Sequence, residues 1–503
     1  MRGEVSAFPV ASIAIIGSGP TAWLAAATLA RVLHGSCAVQ VIETESDDAT
    51  WGAVTSVPSL HRLLRLLGLD EVTLMRAGEA TYRLGTEFRD WSAIGEHYFA
   101  GFGGIGTRFD AVPFQHYWLR AHSAGACAPF DDFSLAAQVA RAGRFELPRP
   151  DPRSVLPPYA YAWHFDSAGL TACVRAHALG LGASAIAGRV SAVERAEDGT
   201  ARTLILEDGT RVPAGLYVDV DGALANALGA QIEDWSAWLP CDRMYTQRCA
   251  LDANWPPYST ASAAAAGWRF AIPLQNSCVR GYVTSSEFMR DDEVAASLSA
   301  GIPADVRLQA SHCTRLVRGR PREFWIHNCI LLPGNRFDPL EGTALHLAQT
   351  GITRLLAHFP VGASSPPDRA EYNRLTAEEY DRLRDLLVLH YHATHRDDSP
   401  FWQRCKTMTL PDTLVRRLEL FLDSGRLTIG EEEHCGVEGW LAVLLGQGLR
   451  PRSFDPLAEI APLENLRSAL GSLAAEIRAR AAALPGHRES IANRGATVRA
   501  GIA

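Results

Sequence analysis

Gly17-x-Gly19-x-x-Ala22 is the spacing in this chain that most directly suggests chemistry. Small residues placed this way let a backbone approach a pyrophosphate, and the free N–H groups opening a helix can bind its charge. The pieces such a motif needs stand around it. Ser12–Ile16 reads as a short, fully buried parallel strand, and a helix is expected from near Pro20. Ala38–Ile42 reads as a second strand ending in Glu43, an acid placed to accept hydrogen bonds from a ribose hydroxyl. Ala22 replaces the third glycine of the usual pattern, a permitted variant. Strand, turn, helix, strand and acid together form a complete dinucleotide-binding unit, far more specific than three small residues.

Other reactive side chains read more plainly. His164 in AWHFD, and His390, His392 and His395 in HYHATH, have no carboxylates at metal-ligand spacing, so structural hydrogen bonding is expected of all four. The 10 cysteines form no CxxC pair, and Cys241 to Cys249 suits neither zinc nor a redox pair. That usage fits a reduced, cytoplasmic compartment. Arg396-Asp397-Asp398 reads as a charge cluster at a helix end or loop holding two modules together, and Glu431–His434 as a solvated surface.

These residues need a scaffold. Arg202–Leu206 and Arg211–Val220 read as strands flanking the turn Asp208-Gly209, the second ending in the acidic turn Tyr217–Ala223. From Arg354 the pattern becomes helical, with Ala377–His390, Leu414–Ser424 and Leu463–Ala483 repeating apolar residues at i, i+3 and i+4. The polar tail Gly486–Ala503 is expected to be poorly ordered. There is no internal repeat.

A chain of 503 residues implies more than one packed module. Its 47% hydrophobic and 21% charged residues are those of a globular protein, and a net charge of −8 argues against a general nucleic-acid binder. The apolar run before Gly17 is short and passes straight into a glycine turn, so a first strand is expected rather than a signal peptide. No apolar run is long enough to predict a transmembrane helix. Lys406 is the only lysine among 48 basic Lys and Arg residues, in keeping with a G+C-rich, Arg- and Ala-favouring codon usage.

Eight segments in order resemble the flavin-dependent tryptophan halogenases: Gly17–Trp23, Thr55–Leu60, His116–Arg120, Ala162–Asp166, Gly267–Leu274, Gly281–Phe288, Arg336–Thr343 and His390–Trp402. The resemblance implies an α/β two-dinucleotide-binding FAD fold of the flavin monooxygenase type. Residues 1–350 would form an FAD-binding box with interleaved substrate-site segments, and 351–503 a mostly helical pyramid covering the substrate. It implies FAD contacts at Gly17, Gly19, Thr21, Ala22, Glu43, Val190, Asp219, Gly222, Gly334, Ala344 and Leu345. It also implies that a separate flavin reductase supplies reduced FAD, that O2 gives a C4a-hydroperoxide, and that halide becomes hypohalous acid, which travels inside the protein to the substrate.

Residue by residue, the family's catalytic glutamate matches Glu341, and its catalytic lysine falls on Arg83 in Thr81-Tyr82-Arg83-Leu84. A lysine amine can lose its proton and carry a halogen, whereas a guanidinium stays protonated and can only donate hydrogen bonds. The resemblance would pair Arg83 with Glu341 as ions. The family's serine and glycine after the glutamate are Gly342 and Ala344 here, with Thr343 kept between them. The halide site implied at Thr343 and Ala344 gains a methyl group, which works against chloride and leaves room for a larger or differently placed anion. Trp268 and Phe270 stand for the bulky wall between flavin and substrate, and Phe102 for a stacking wall. The aromatic-rich stretch that grips indole in tryptophan-specific members corresponds to His434–Trp440, where most aromatics are gone.

The expected function is a reduced-flavin- and O2-dependent halogenase acting on an electron-rich aromatic other than free tryptophan. A non-halogenating flavin monooxygenase or oxidase is the alternative, favoured by Arg83, Gly342 and Ala344, and a catalytically inactive flavin-binding partner protein is the third. Expected partners are a flavin reductase, a small-molecule or carrier-bound aromatic and, where an anion site survives, halide. A homodimer is compatible with this reading; nucleic acid, a membrane and a bound metal are not expected.

Overall fold

Ser12–Ile16 forms the strand its apolar run predicts and lies inside a parallel sheet, paired with Ala38–Glu43 on one side and Leu216–Asp219 on the other. Ser184–Ala187 extends the sheet beyond Ala38–Glu43, and Cys329–Leu331 extends it beyond Leu216–Asp219. A parallel arrangement needs crossovers, and helix Gly19–Leu33 supplies the first, burying almost every residue from Gly19 to Ala30. This computed structural model describes residues 10–44, 52–107, 112–125, 127–149, 154–250, 255–299, 310–332, 337–360, 366–430, 433 and 435–496.

The chain divides into two compact units, each built from three stretches. The first comprises Met1–Ala80, Phe165–Ser236 and Thr314–Asp381 and holds the parallel sheet. Beside that sheet Val190–Arg195, Ala201–Leu206 and Arg211–Pro213 form an antiparallel one. Ile16, Ile42, Leu204, Leu206 and Tyr217 share a core there. The single strand expected over Arg211–Val220 is two. Pro213 offers no N–H to continue the ladder, and the chain turns through Ala214 and Gly215 before Leu216–Asp219 joins the parallel sheet.

The second unit comprises Thr81–His164, Ala237–Cys313 and Arg382–Ala503. In its main sheet Arg243–Ala250, Ser277–Thr284, Gly267–Pro273, Ser259–Ala264, Gly85–Arg89 and His97–Gly101 lie side by side in that order. Strand Thr81–Arg83 pairs separately, antiparallel to Ala162–Asp166, with Tyr82 opposite Trp163. Helices Asp412–Ser424, Val437–Gly446 and Leu463–Ala483 follow.

The tail departs from expectation at its start. His487–Asn493 is a helix whose His487 and Ile491 are buried, because their partners come from distant segments. Residues 497–503 lie outside the described residues. Glu433, expected on a solvated surface, has a 4% exposed side chain bound to Arg417 at 2.8 Å and to Trp440 Nε1 at 3.2 Å. Glu431, Glu432 and His434 lie outside the described residues.

Candidate active site

The end of the first unit where the dinucleotide-binding motif falls is built by three chain turns. Gly17, between the first strand and its helix, adopts φ +138 and donates its N–H to Ile42 O. A Cβ at this position would lie 2.9 Å from Val220 Cβ and 3.1 Å from Asp221 Oδ1, so no other residue fits. Ser18 caps the helix backbone but spends its hydroxyl elsewhere, donating to Thr44 O at 2.5 Å. Thr44 Oγ1 in turn donates to the Asp221 carboxylate. The first turn of helix Gly19–Leu33 holds no acidic residue.

Thr21 and Ala22 are buried in that turn. Glu43 ends its strand as expected and accepts two hydrogen bonds from Arg175, at 2.8 and 3.1 Å. Arg175 also lies over the Trp23 ring at 5.2 Å. Neither Arg175 nor Asp221 stood out in the sequence. The motif Tyr217–Ala223 holds two aspartates, of which the resemblance implies an FAD contact only at Asp219.

Asp219 is fully buried and turned onto its own loop, accepting from Ala225 N at 2.7 Å and Gly222 N at 2.9 Å. Burial pushes its carboxyl up to about 6 against the pull of those amides. Gly222, at φ +79, is the N-cap of the short helix that these bonds close. Val190 packs against the core cluster. Gly334 lies outside the described residues.

Farther along the same unit, Glu341 and Gly342 lead into helix Ala344–Ala357, capped by the buried Thr343. The cap carries no side-chain hydrogen bond, and the first turn again holds no acid. Gly342 adopts φ +65, a left-handed conformation that a serine would hold only under strain. The helix is anchored from within. His346 Nδ1 lies 3.0 Å from Ser59 Oγ and His346 Nε2 lies 3.2 Å from the Glu379 carboxylate, which Arg354 also binds at 3.0 Å. Leu345, in the first turn, is buried.

The second unit places Arg83 in strand Thr81–Arg83, 2% exposed. Its Nη2 donates to Thr86 Oγ1 at 2.8 Å, and its Cζ lies 5.0 Å from the Phe102 ring centroid. Phe102 is itself tied to this strand, donating its N–H to Leu84 O at 2.8 Å. Two residues chosen separately from sequence are thus brought together.

Trp268 and Phe270 also meet, with ring centroids 5.8 Å apart. Trp268 is buried and donates Nε1 to Tyr391 OH at 3.0 Å. Phe270 covers the opposite-strand Gly281, where a Cβ would sit 2.1 Å from its ring. Trp440, the aromatic remaining in the segment compared with the indole grip, is 1% exposed and lies under Arg417 at 4.2 Å.

His164 is held between Thr81 Oγ1 and Ser259 Oγ, each at 2.9 Å, and burial, with Arg83 nearby, keeps it well below the ordinary imidazole range. His390 contacts Tyr98 OH at 3.1 Å, and His392 Nδ1 lies 3.3 Å from Cys405 O. His395 donates its backbone N–H to Ser92 O. Arg396 binds Asp398 at 2.7 Å and lies over Trp402. Among the described residues no group of His, Cys, Asp and Glu could hold a metal, and no helix is long and apolar enough to cross a membrane.

A parallel sheet whose first strand turns into a helix through a glycine that no larger residue can replace, with an acid ending the neighbouring strand, is the α/β architecture of a dinucleotide-binding unit. The comparisons carry this to a family. The pattern of the tryptophan halogenases matches residues 12–463, and the chain belongs to that family of flavin-dependent oxidoreductases. It is 27% identical to a tryptophan 6-halogenase from Streptomyces toxytricini over 90% of this chain and 92% of that one. It is 26% identical to a tryptophan 7-halogenase from Lentzea aerocolonigenes over 88% and 91%.

Among solved structures, a flavin-dependent halogenase from Brevundimonas sp. BAL3 superimposes with a TM-score of 0.91 at 33% identity, covering 96% of this chain and 99% of that one. One from Xanthomonas campestris gives 0.91 at 34%, covering 98% and 99%. The α/β fold with a helical C-terminal part is the fold expected from the sequence.

Proposed function

We propose that this protein binds FAD in its first unit and halogenates an electron-rich aromatic substrate other than free tryptophan. The cofactor fits the residues present. Gly17 lets the turn pack closely against Val220 and Asp221, the first turn of the following helix holds no acidic residue to compete with a pyrophosphate, and Glu43, held by Arg175 at the end of the second strand, would accept from a ribose hydroxyl. Reduced FAD from a reductase, together with O2, would supply the oxidising equivalent that converts halide to hypohalous acid.

The chain's own residues divide the remaining work. The open amides of helix Ala344–Ala357 favour an anion beside Thr343. Arg83, protonated throughout the working range, holds hypohalous acid or an anionic substrate group by hydrogen bonds and cannot carry halogen as a haloamine. Phe102 presents a ring face against Arg83 and stacks the aromatic substrate. Glu341 acts as the acid–base group. As the carbon–halogen bond forms and the oxygen–halogen bond breaks, protonated Glu341 gives its proton to the departing hydroxide, which leaves as water, and the resulting carboxylate takes the proton that the ring carbon loses. Trp268 and Phe270 serve as the wall that keeps substrate off the flavin.

The observation that carries the substrate reading is Trp440. Its ring lies against Arg417 and its Nε1 is bound to Glu433, so this remaining aromatic is committed to packing rather than to gripping an indole. The test is product analysis by mass spectrometry with a flavin reductase, O2 and bromide or chloride over indoles, phenols, pyrroles and free tryptophan. Halogenated products from the panel, with tryptophan the poorest substrate, are expected. Preferential tryptophan halogenation would overturn the substrate reading. Addition of one oxygen without halide dependence would establish the monooxygenase instead, the reading that Arg83 and Ala344 favour.

A further inference from the structure

Among the described residues strand Thr81–Arg83 has one partner strand, Ala162–Asp166, and its other edge is closed by different means. Leu84 donates its N–H to Pro257 O at 2.7 Å. Two residues back, the Tyr82 N–H donates to His487 Nε2 at 3.1 Å. The same imidazole places Nδ1 3.3 Å from Trp255 O. The ring therefore stands in for a ladder rung between the Tyr82 strand and the segment Trp255–Pro257.

This role fixes the ring's chemistry. Nε2 must carry the lone pair to accept from Tyr82, so the proton sits on Nδ1 and is donated to Trp255 O. The ring is fully enclosed. Tyr82 stacks on Phe145 at 3.7 Å beside it, and Trp255 meets it edge-on at 5.3 Å. An unmet backbone N–H in such a site would cost about 1–3 kcal/mol, so the rung defines where the strand lies.

The next two residues carry the candidate site. Arg83 follows Tyr82, and Leu84 O accepts the N–H of Phe102. We propose that His487, contributed by the C-terminal segment, is a positioning residue that holds Arg83 and Phe102 in register. The proposal rests on the reading of Arg83 as the group that holds oxidant or substrate. His487 touches neither and acts through the backbone of Tyr82–Leu84.

The experiment uses the full-length protein with FAD bound and the variants His487→Ala, His487→Gln, Arg83→Ala and the double variant Arg83→Ala/His487→Ala. A glutamine can accept from Tyr82 and donate to Trp255, whereas alanine can do neither. Crystal structures and amide hydrogen exchange provide readouts independent of turnover. In His487→Ala, a displaced Arg83 guanidinium and faster exchange at Tyr82 are expected, with FAD affinity unchanged. His487→Gln should keep both features near the wild type.

With indole and bromide as probe, His487→Ala should lose about tenfold to a hundredfold in turnover, and the double variant should be no slower than Arg83→Ala alone. An unmoved Arg83 with wild-type exchange at Tyr82 overturns the proposal, as do losses that multiply in the double variant. Should His487→Ala fail to fold, a His487→Gln protein with Arg83 displaced and Tyr82 exposed to exchange also overturns it. Wild-type turnover in Arg83→Ala instead overturns the role given to Arg83, a result distinct from both.

Discussion

The guanidinium carbon of Arg83 lies 5.0 Å from the centroid of Phe102, so the residue that the resemblance sets at the family's lysine position is seated on the ring proposed to stack the substrate. A cation over an aromatic face gains about 0.5–2 kcal/mol, the larger figure where water is excluded, and Arg83 is 2% exposed. Arg83→Ala should lower product formation by about a hundredfold, the usual cost of a lost donor at a reacting centre. Arg83→Lys should raise halogenated product above wild type, because an amine can carry the halogen that a guanidinium cannot. Chromatographic product quantification under matched FAD loading checks both.

The strand, glycine turn and helix at Ser12–Leu33 were legible because their requirements are local. Ser12–Ile16 is the strand that its apolar run predicts, and Leu463–Ala483 is the helix that its periodicity predicts. Asp219 and Asp221 could not be told apart, since which carboxylate faces inward depends on where the following helix closes. His487 was hidden for a related reason. Its partners Tyr82 and Trp255 stand hundreds of residues away, and a polar tail gives no periodic signal for contacts of that range.

Gly17→Ala should abolish FAD binding while leaving the fold. The added methyl would lie 2.9 Å from Val220 Cβ, and the backbone at φ +138 is one that alanine avoids. Either the turn shifts or Asp221 is displaced, and both disturb the amides meant for the pyrophosphate. Flavin absorbance retained after gel filtration, alongside an unchanged far-ultraviolet circular dichroism spectrum, measures the effect.

Ala344→Gly should tighten halide binding. Removing the methyl group opens the first turn of the helix capped by Thr343, and a hydrogen bond to a charged group is worth about 1.5–3 kcal/mol. A drop of about tenfold in the halide concentration giving half-maximal rate is expected, with the aromatic substrate's KM unchanged. Gly342→Ala is the contrasting variant, since its φ of +65 makes any side chain cost about 1–2 kcal/mol. It should lower the melting temperature without tightening halide.

Glu379→Ala should strongly destabilise the first unit. Burial alone would raise this carboxyl, but His346, Arg354 and Thr350 outweigh it and hold the group below the usual range. Its removal leaves Arg354 enclosed without a counter-charge, a loss of about 3–5 kcal/mol. The sign with pH follows. A lowered carboxyl contributes stability present above its unfolded value near 4.5 and lost as pH falls through its folded one. Urea unfolding of wild type and variant should therefore converge at low pH.

Mild acid should loosen the second unit before the first. His116, His122, His164, His392 and His487 all belong to the second unit, and burial lowers every one of them. A histidine lowered in the folded state takes up its proton only on unfolding, so stability falls as pH drops from about 6.5 toward the folded value. For the fully enclosed His487, lowered to about 4, that loss amounts to about 3 kcal/mol. Asp385, raised by burial, opposes them within the same unit. In the first unit the sign reverses. Asp219, raised to about 6, contributes stability that is full below 3.8 and lost as pH rises through 6, so mild acid strengthens its surroundings. Limited proteolysis at pH 7 and pH 4.5, with cuts located by mass spectrometry, separates the two. Acid-enhanced cleavage within 81–164, 237–313 and 382–496 is the expected outcome, and cleavage appearing first in the parallel-sheet segments would contradict it.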